Sequence, residues 1–330
     1  MAAQPGIDRA LSGTGLDRNA SGTAQSSYDL FLSSENLDQQ GFTVLHLIVL
    51  GLQCLDLETV LKSHSNDVDV RDANGRTPLL WAAWRGDVRS INHLIKYGAD
   101  VNGIDYQSWT PLARAAKAGH LSTVRCLLKA QASTTIATSQ GFQPIHHASD
   151  NKLQGVAVVR ELLACGADPS VSSTSHGTPL HNAANRGSVE TIKLLLSHGS
   201  NINAVDGDGD TPVMIALLCW NEAAFLYLAK AGARLDIARR NGHSVVHVAV
   251  WGSSLKVWEL LTNYAESGQV YGIDVSVQHN NHDINVCFDK CRGVWYTGPR
   301  DIEAELVAFR RMVDAFTPSM GFQPCRPNPP

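Results

Sequence analysis

The chain has 330 residues, with 27 Lys and Arg against 31 Asp and Glu, a net charge of −4 and a pI near 6.3. Hydrophobic residues make up 44%, enough for a sizeable core and too many for a wholly disordered chain. The near-neutral balance excludes a polybasic nucleic-acid binder, whose affinity rests on counterions released by excess Lys and Arg. The seven cysteines (54, 126, 165, 219, 287, 291, 325) are odd in number and scattered, which does not read as a disulfide framework. Residues 1–25 hold no apolar run long enough for a signal peptide. The longest apolar stretches, Phe42–Leu52 and Val213–Ala229, are broken by His46 and by Asn221 and Glu222, and neither reads as a membrane span. The expected setting is reducing and intracellular, cytoplasm or nucleus, with no membrane and no nucleic acid as partner.

In chain order, residues 1–25 are rich in Gly, Ser, Thr, Ala and Asp and are predicted to be a disordered tail. Ser26–Leu37, with Tyr28, Phe31 and Leu32, is expected to form a leading helix that covers the first repeat. The repeated unit fills residues 26–265, with copies starting near 38, 72, 105, 138, 173, 206 and 239. Thr-Pro-Leu stands at Thr77, Thr110 and Thr178, Thr-Pro-Val at Thr211, and weaker copies begin at Thr43, Gln143 and Ser244. The intervals are 34, 33, 33, 35, 33 and 33 residues. A fixed period of this length marks a repeat architecture.

Each unit predicts the same devices. A turn comes first, as in Asp72-Ala73-Asn74-Gly75 or Asp206-Gly207-Asp208-Gly209. Thr then caps a short helix whose first position is Pro, where no backbone donor is lost. Small pairs follow (Ala82-Ala83, Ala115-Ala116, Ala183-Ala184), and Gly86, Gly119 and Gly187 stop the helix. A second helix carries one apolar stripe: Val88, Ile91, Leu94, Ile95; then Leu121, Val124, Leu127, Leu128; then Val189, Ile192, Leu195, Leu196. The unit closes on segments such as Gly98-Ala99-Asp100-Val101-Asn102 or Gly199-Ser200-Asn201-Ile202-Asn203.

On these motifs, the stretch from about Asp38 to Asn263 resembles the ankyrin-repeat family. The resemblance implies an all-α solenoid of about seven helix-turn-helix units with β-hairpin fingers and a concave face. Departures are visible. Copy four has Gln143 for Thr and two extra residues around Lys152–Gly155, predicting a longer turn. Copy six has Trp220 in place of Gly and Glu222 in the apolar stripe. Beyond the repeats, residues 266–317 form an extension. Within it, 301–316 is predicted as a helix with a stripe of Ile302, Leu306, Phe309, Val313 and Phe316, either sealing the last repeat or docking onto a partner. Residues 318–330 form a Pro-rich tail.

The candidates for chemistry are few. His46, His146, His181 and His247 recur at one repeat position. The resemblance assigns that position to hydrogen bonds between units, and neighbouring copies stand roughly 10 Å apart, too far to share a metal. Asp206 to Asp210 alternates carboxylates like a calcium loop, but its twelfth position is Leu217 and not a bidentate Glu. His279, His282, Cys287 and Cys291 are suitable zinc ligands in an unfamiliar spacing, and Cys287 and Cys291 read equally as small buried residues. No G-x-S-x-G, P-loop or H-E-x-x-H motif is present, and no cofactor is expected.

A partner is expected on the concave face, at the turn tips and the exposed ends of the first helices. These positions are Arg76, Trp81, Trp84 and Arg85 in copy two and Tyr106, Gln107, Trp109, Arg114 and Lys117 in copy three. Copy four offers Phe142, His147, Asp150 and Asn151, copy five His176, Asn182, Asn185 and Arg186, and copy seven His243 and Trp251. Trp, Tyr and Arg are enriched at binding hot spots, and the mixture suits an acidic or aromatic peptide segment. The competing reading of Trp81 and Trp109 is packing between repeats. The expectation is a non-catalytic interaction scaffold or adaptor. The alternative is an enzyme or pathway accessory protein with a site in the groove or in residues 266–300. Sequence alone leaves the oligomeric state open.

Overall fold

A computed structural model describes residues 40–63, 67–174, 177–249 and 255–266, together with 307, 308, 310–312 and 315. The predicted tail 1–25, the leading helix, the four zinc-ligand candidates His279, His282, Cys287 and Cys291, His176, Trp251 and the tail 318–330 lie outside the described residues.

Among the described residues, seven helix pairs follow one another. The first helices are α1 (Val44–Val49), α3 (Pro78–Arg85), α5 (Pro111–Ala118), α7 (Pro144–Ser149), α9 (Pro179–Arg186), α11 (Pro212–Leu218) and α13 (Val245–Ala249). Their partners are α2 (Leu57–Ser63), α4 (Val88–Lys96), α6 (Leu121–Lys129), α8 (Gly155–Ala164), α10 (Val189–Ser197), α12 (Glu222–Lys230) and α14 (Leu255–Glu266). First helices pack on first helices of adjacent units, and second on second, so the core runs along the stack. Ala82, Ala83, Ala115, Ala116, Ala183 and Ala184 are wholly buried, and their size permits the close approach. Of each stripe the two central residues are wholly buried: Ile91 and Leu94, Val124 and Leu127, Ile192 and Leu195.

The helix ends show why these residues form these elements. The hydroxyls of Thr77 and Thr110 accept from the amides of Leu80 and Ala113 at 3.3 and 3.1 Å. Gly86, Gly119 and Gly187 have φ of 77, 79 and 69°, the left-handed conformation that ends a helix and suits Gly. In copy six Trp220 occupies that position with φ 61°. Phe225, wholly buried, takes the place of Ile91 and Ile192 in the stripe, while Glu222 sits in the first turn of α12, where a carboxylate suits the helix dipole. Copy four has the longer turn, 150–154, with Asn151 Oδ1 accepting from the amides of Leu153 and Gln154.

The fingers are tight turns, and no strand occurs among the described residues. The reason is local. Single backbone bonds join neighbouring tips: Ala73 to Gln40 (2.7 Å), Tyr106 to Asn74 (3.2 Å), Ser139 to Gln107 (3.0 Å) and Arg240 to Asp208 (3.1 Å). Other backbone bonds of the tips close within their own turn, as between Asp72 and Arg76 or Asp105 and Trp109. The ladder that an expected β-hairpin needs is therefore not formed. No helix among the described residues is long and apolar enough to cross a membrane.

Candidate binding face

The turns of copies two, three and six begin with an Asp that organises them. Asp72 Oδ1 accepts from the amides of Asn74 and Arg76, Asp105 Oδ1 from Gln107 and Trp109, and Asp206 Oδ1 from Asp208 and Asp210. In the first two the second oxygen reaches nine residues on. Asp72 Oδ2 accepts from Trp81 Nε1 at 2.9 Å, and Asp105 Oδ2 from Arg114 Nη2 at 2.8 Å. Trp81 and Arg114 occupy the same position in successive first helices, so one carboxylate device fixes both.

From this base an aromatic and cationic stack rises across copies two to four. Trp81 stacks on Trp84 (5.2 Å, 24°) and meets Phe42 edge-on. The Arg76 guanidinium lies 5.1 Å from the Trp81 ring centre and 5.8 Å from that of Trp84. Arg114 stands between Trp84 (5.3 Å) and Trp109 (4.1 Å), and Lys117 lies 4.9 Å from Trp109. Trp109 stacks on His147 at 4.2 Å. Such alternation is favourable because the ring faces are negative.

The sequence leads one to expect all of these positions to be free of packing duty, and burial corrects that. Arg76, Trp81, Trp109, Arg114 and His147 are all at least 90% buried. The cause is the stack itself: Trp81 and Arg76 are covered within copy two, and Trp81 also by Phe42 of copy one, while Arg114 meets Trp84 of copy two and Trp109 meets His147 of copy four. Trp84, Lys117 and Asn182 are half-buried, while Arg85, Tyr106, Asn185 and Arg186 are exposed. Arg85 Nη1 donates to the Val49 carbonyl, Asn182 to that of His146 (3.0 Å), and Arg186 grips Asp150 with two bonds. The structure therefore brings Arg76, Trp81, Trp84, Trp109, Arg114, Lys117 and His147 together, and sets Asn182, Asn185 and Arg186 further along. Sequence spacing misses Asp72, Asp105 and Phe42 as members of the site. A signal is present in the two Asp residues, each nine before Trp81 or Arg114.

The recurrent histidines act between units. His46 Nδ1 accepts from the Thr43 amide (3.2 Å), which leaves Nε2–H to donate to the Arg76 carbonyl at 3.0 Å. His181 does the same with Thr178 (3.0 Å) and the Asp210 carbonyl (3.0 Å). Burial holds all three of His46, His146 and His181 below the ordinary imidazole range, His146 at about 4. Burial, and then Lys117, His146 and Arg114, push His147 well down. Asp210 is raised to about 6 by burial, opposed by Arg239 at 2.6 Å. These displaced groups are spread along the stack. Among the described residues no group of three or more His, Cys, Asp or Glu could hold a metal ion.

The family model for ankyrin repeats, in three copies, matches residues 21–105, 103–173, 152–239 and 180–278. The chain belongs to the ankyrin-repeat family. Inversin of Canis lupus familiaris is 31% identical over 245 residues, covering 72% of this chain and 22% of that protein. The B-cell lymphoma 3 protein homolog of Mus musculus is 29% identical over 183 residues, 54% of this chain and 33% of that protein. Palmitoyltransferase AKR1 of Naumovozyma castellii is 43% identical over 72 residues, 21% of this chain and 10% of that enzyme. The chain thus spans a third or less of the length of these curated relatives.

Proposed function

We propose that the protein is a non-catalytic interaction scaffold or adaptor that holds a protein partner on its concave face, at copies two to four. The observation that carries this is the aromatic–cation stack, whose half-buried members Trp84 and Lys117 reach the surface, with Arg85 and Tyr106 exposed in the same two copies. The buried members set the positions of the exposed ones, so little side-chain freedom is lost on binding. With Arg114 paired to Asp105, the cations Arg76, Arg85 and Lys117 outnumber the remaining carboxylate Asp72, and this favours an acidic segment. The chain's likeness to an enzyme covers 21% of it and 10% of that enzyme.

The test is a pull-down with Trp84→Ala/Arg85→Ala, with circular dichroism to verify the fold. We expect partner recovery to fall about tenfold or more, as loss of two hot-spot residues implies. An unchanged set of partners on a folded variant places the site elsewhere.

For the extension we retain the reading of a cap over copy seven. Met312 is wholly buried in the core, Ala308 packs against the core, and Arg311 pairs with Glu266 of α14 at 2.9 Å.

A further inference from the structure

The face lined by first helices changes chemistry along the stack. Four and seven residues after the capping position stand Trp81 and Trp84 in copy two, then Arg114 and Lys117 in copy three. Copy five has the amides Asn182 and Asn185 there, and copy six has Ile215 and Leu218, both half-buried. Trp220 follows two residues after Leu218, 51% exposed and with φ 61°. Its backbone ends α11 as Gly86 ends α3. Trp220 and Asn221 amides bond Leu217 and Ala216 carbonyls at 3.0 and 2.8 Å, as Gly86 and Asp87 bond Ala83 and Ala82 at 3.3 and 3.0 Å. The motif therefore demands a left-handed residue, and a bulky L-residue adopts that conformation at a steric cost. Gly would serve the fold better. A strained, exposed tryptophan is the kind of outlier that gathers at functional sites.

We propose that copies two to six bind a single extended, bipartite partner segment. Its acidic part lies against Arg85 and Lys117, with Arg76 beneath, and an apolar or aromatic side chain seats on Ile215, Leu218 and Trp220. This rests on the concave-face reading and adds the partner's chemistry and polarity. Charge complementarity selects the occupant. A second copy of this chain meeting the same face would set cations against cations. Between the two ends Asn182 and Arg186 are engaged with His146 and Asp150, so the middle of the face supplies polar contact without net charge. From copy three to copy six is three helix spacings of roughly 10 Å. That span of about 30 Å corresponds to about nine residues of extended chain.

The experiment uses the full chain and fluorescence anisotropy. The probes are labelled synthetic peptides with a Glu-Asp-Glu-Glu module and a Leu-Trp-Leu module, in both orders. Pro-rich spacers of about four, ten and sixteen residues set rigid separations of about 3.1 Å per residue. We expect the middle spacer, in one order, to bind about tenfold or more tighter than the short one, through a second contact made within the same complex. Trp220→Gly removes that spacer dependence, keeps binding of the acidic module, and does not lower the melting temperature. Equal binding at all spacings, or full spacer dependence in Trp220→Gly, overturns the proposal. So does a dimer in sedimentation velocity that Trp220→Gly dissociates. Failure of the underlying reading looks different: Trp84→Ala/Arg85→Ala then leaves even the acidic module's binding unchanged.

Discussion

At Asp105 one carboxylate meets two amides of its own turn and the guanidinium of Arg114, with both side chains at least 95% buried. Removing one partner of such a pair leaves an uncompensated charge in the interior. Asp105→Ala is therefore expected to destabilise the protein by about 3–5 kcal/mol. Arg114→Met in the same background is expected to recover part of that loss, since no buried cation then remains at that position. Urea unfolding of the two variants checks both. The same carboxylate position tells how far sequence reading reaches at this scale. The residue types of the binding face are legible, because Trp and Arg stand out in a chain with only 18% charged residues. Their burial is not, because Trp109 is covered by His147 and Arg114 by Trp84, each supplied by a neighbouring unit. Contacts between units depend on how helices are stacked, which periodicity does not encode.

At the scale of the helix, start and stop signals act almost independently of the rest of the chain. Six of the first helices follow a Thr or Gln at the cap, or begin at Pro, where the spacing places them. The stops are equally legible at Gly86, Gly119 and Gly187. The reason for Gly at 187 is double. Its φ is 69°, and a Cβ there would lie 2.5 Å from Asn221 Oδ1. Asn221 in turn donates to the carbonyls of Ala184 and Asn185, covering the open end of α9. Gly187→Ala is expected to cost about 1–2 kcal/mol from the backbone alone, with further loss as Asn221 is displaced. Thermal unfolding of this variant beside Trp220→Gly gives opposite signs if position, and not chance, sets the conformation. The β-hairpin fingers are the element least legible in the sequence. Turn chemistry is visible in Asn74-Gly75 and Asp208-Gly209, but the number of bonds between tips is decided by the spacing of the stack.

The whole stack shares a dependence on pH through its histidines. His46, His120, His146, His147 and His181 are all held below the ordinary value of 6.5, chiefly by burial. Their folded values are depressed, so between about 6.5 and 4 the unfolded chain binds more protons than the folded one. Stability is then full above pH 6.5 and falls as the solution is acidified through that window. His146, at about 4, accounts for about 3 kcal/mol of the loss at about 1.4 kcal/mol per pKa unit. Asp210, raised to about 6, works in the opposite sense, since its folded form keeps a proton that the unfolded form releases. Asp69, also raised by burial, acts in the same sense as Asp210, and two carboxyls against five imidazoles leave the net sign unchanged. Melting temperatures recorded from pH 7.5 to about 5 are expected to fall steadily, and a flat profile would contradict the buried, neutral state of these rings.

The joints between units have a common form. His46, His120, His181, Asn182 and Asn221 each reach the main-chain carbonyl of the adjoining unit and no particular side chain there. Every amino acid offers the same carbonyl. A bond of this kind tolerates any neighbour, so these joints survive when a unit is duplicated, deleted or exchanged during evolution, and only the side-chain pairs such as Arg186 with Asp150 need refitting.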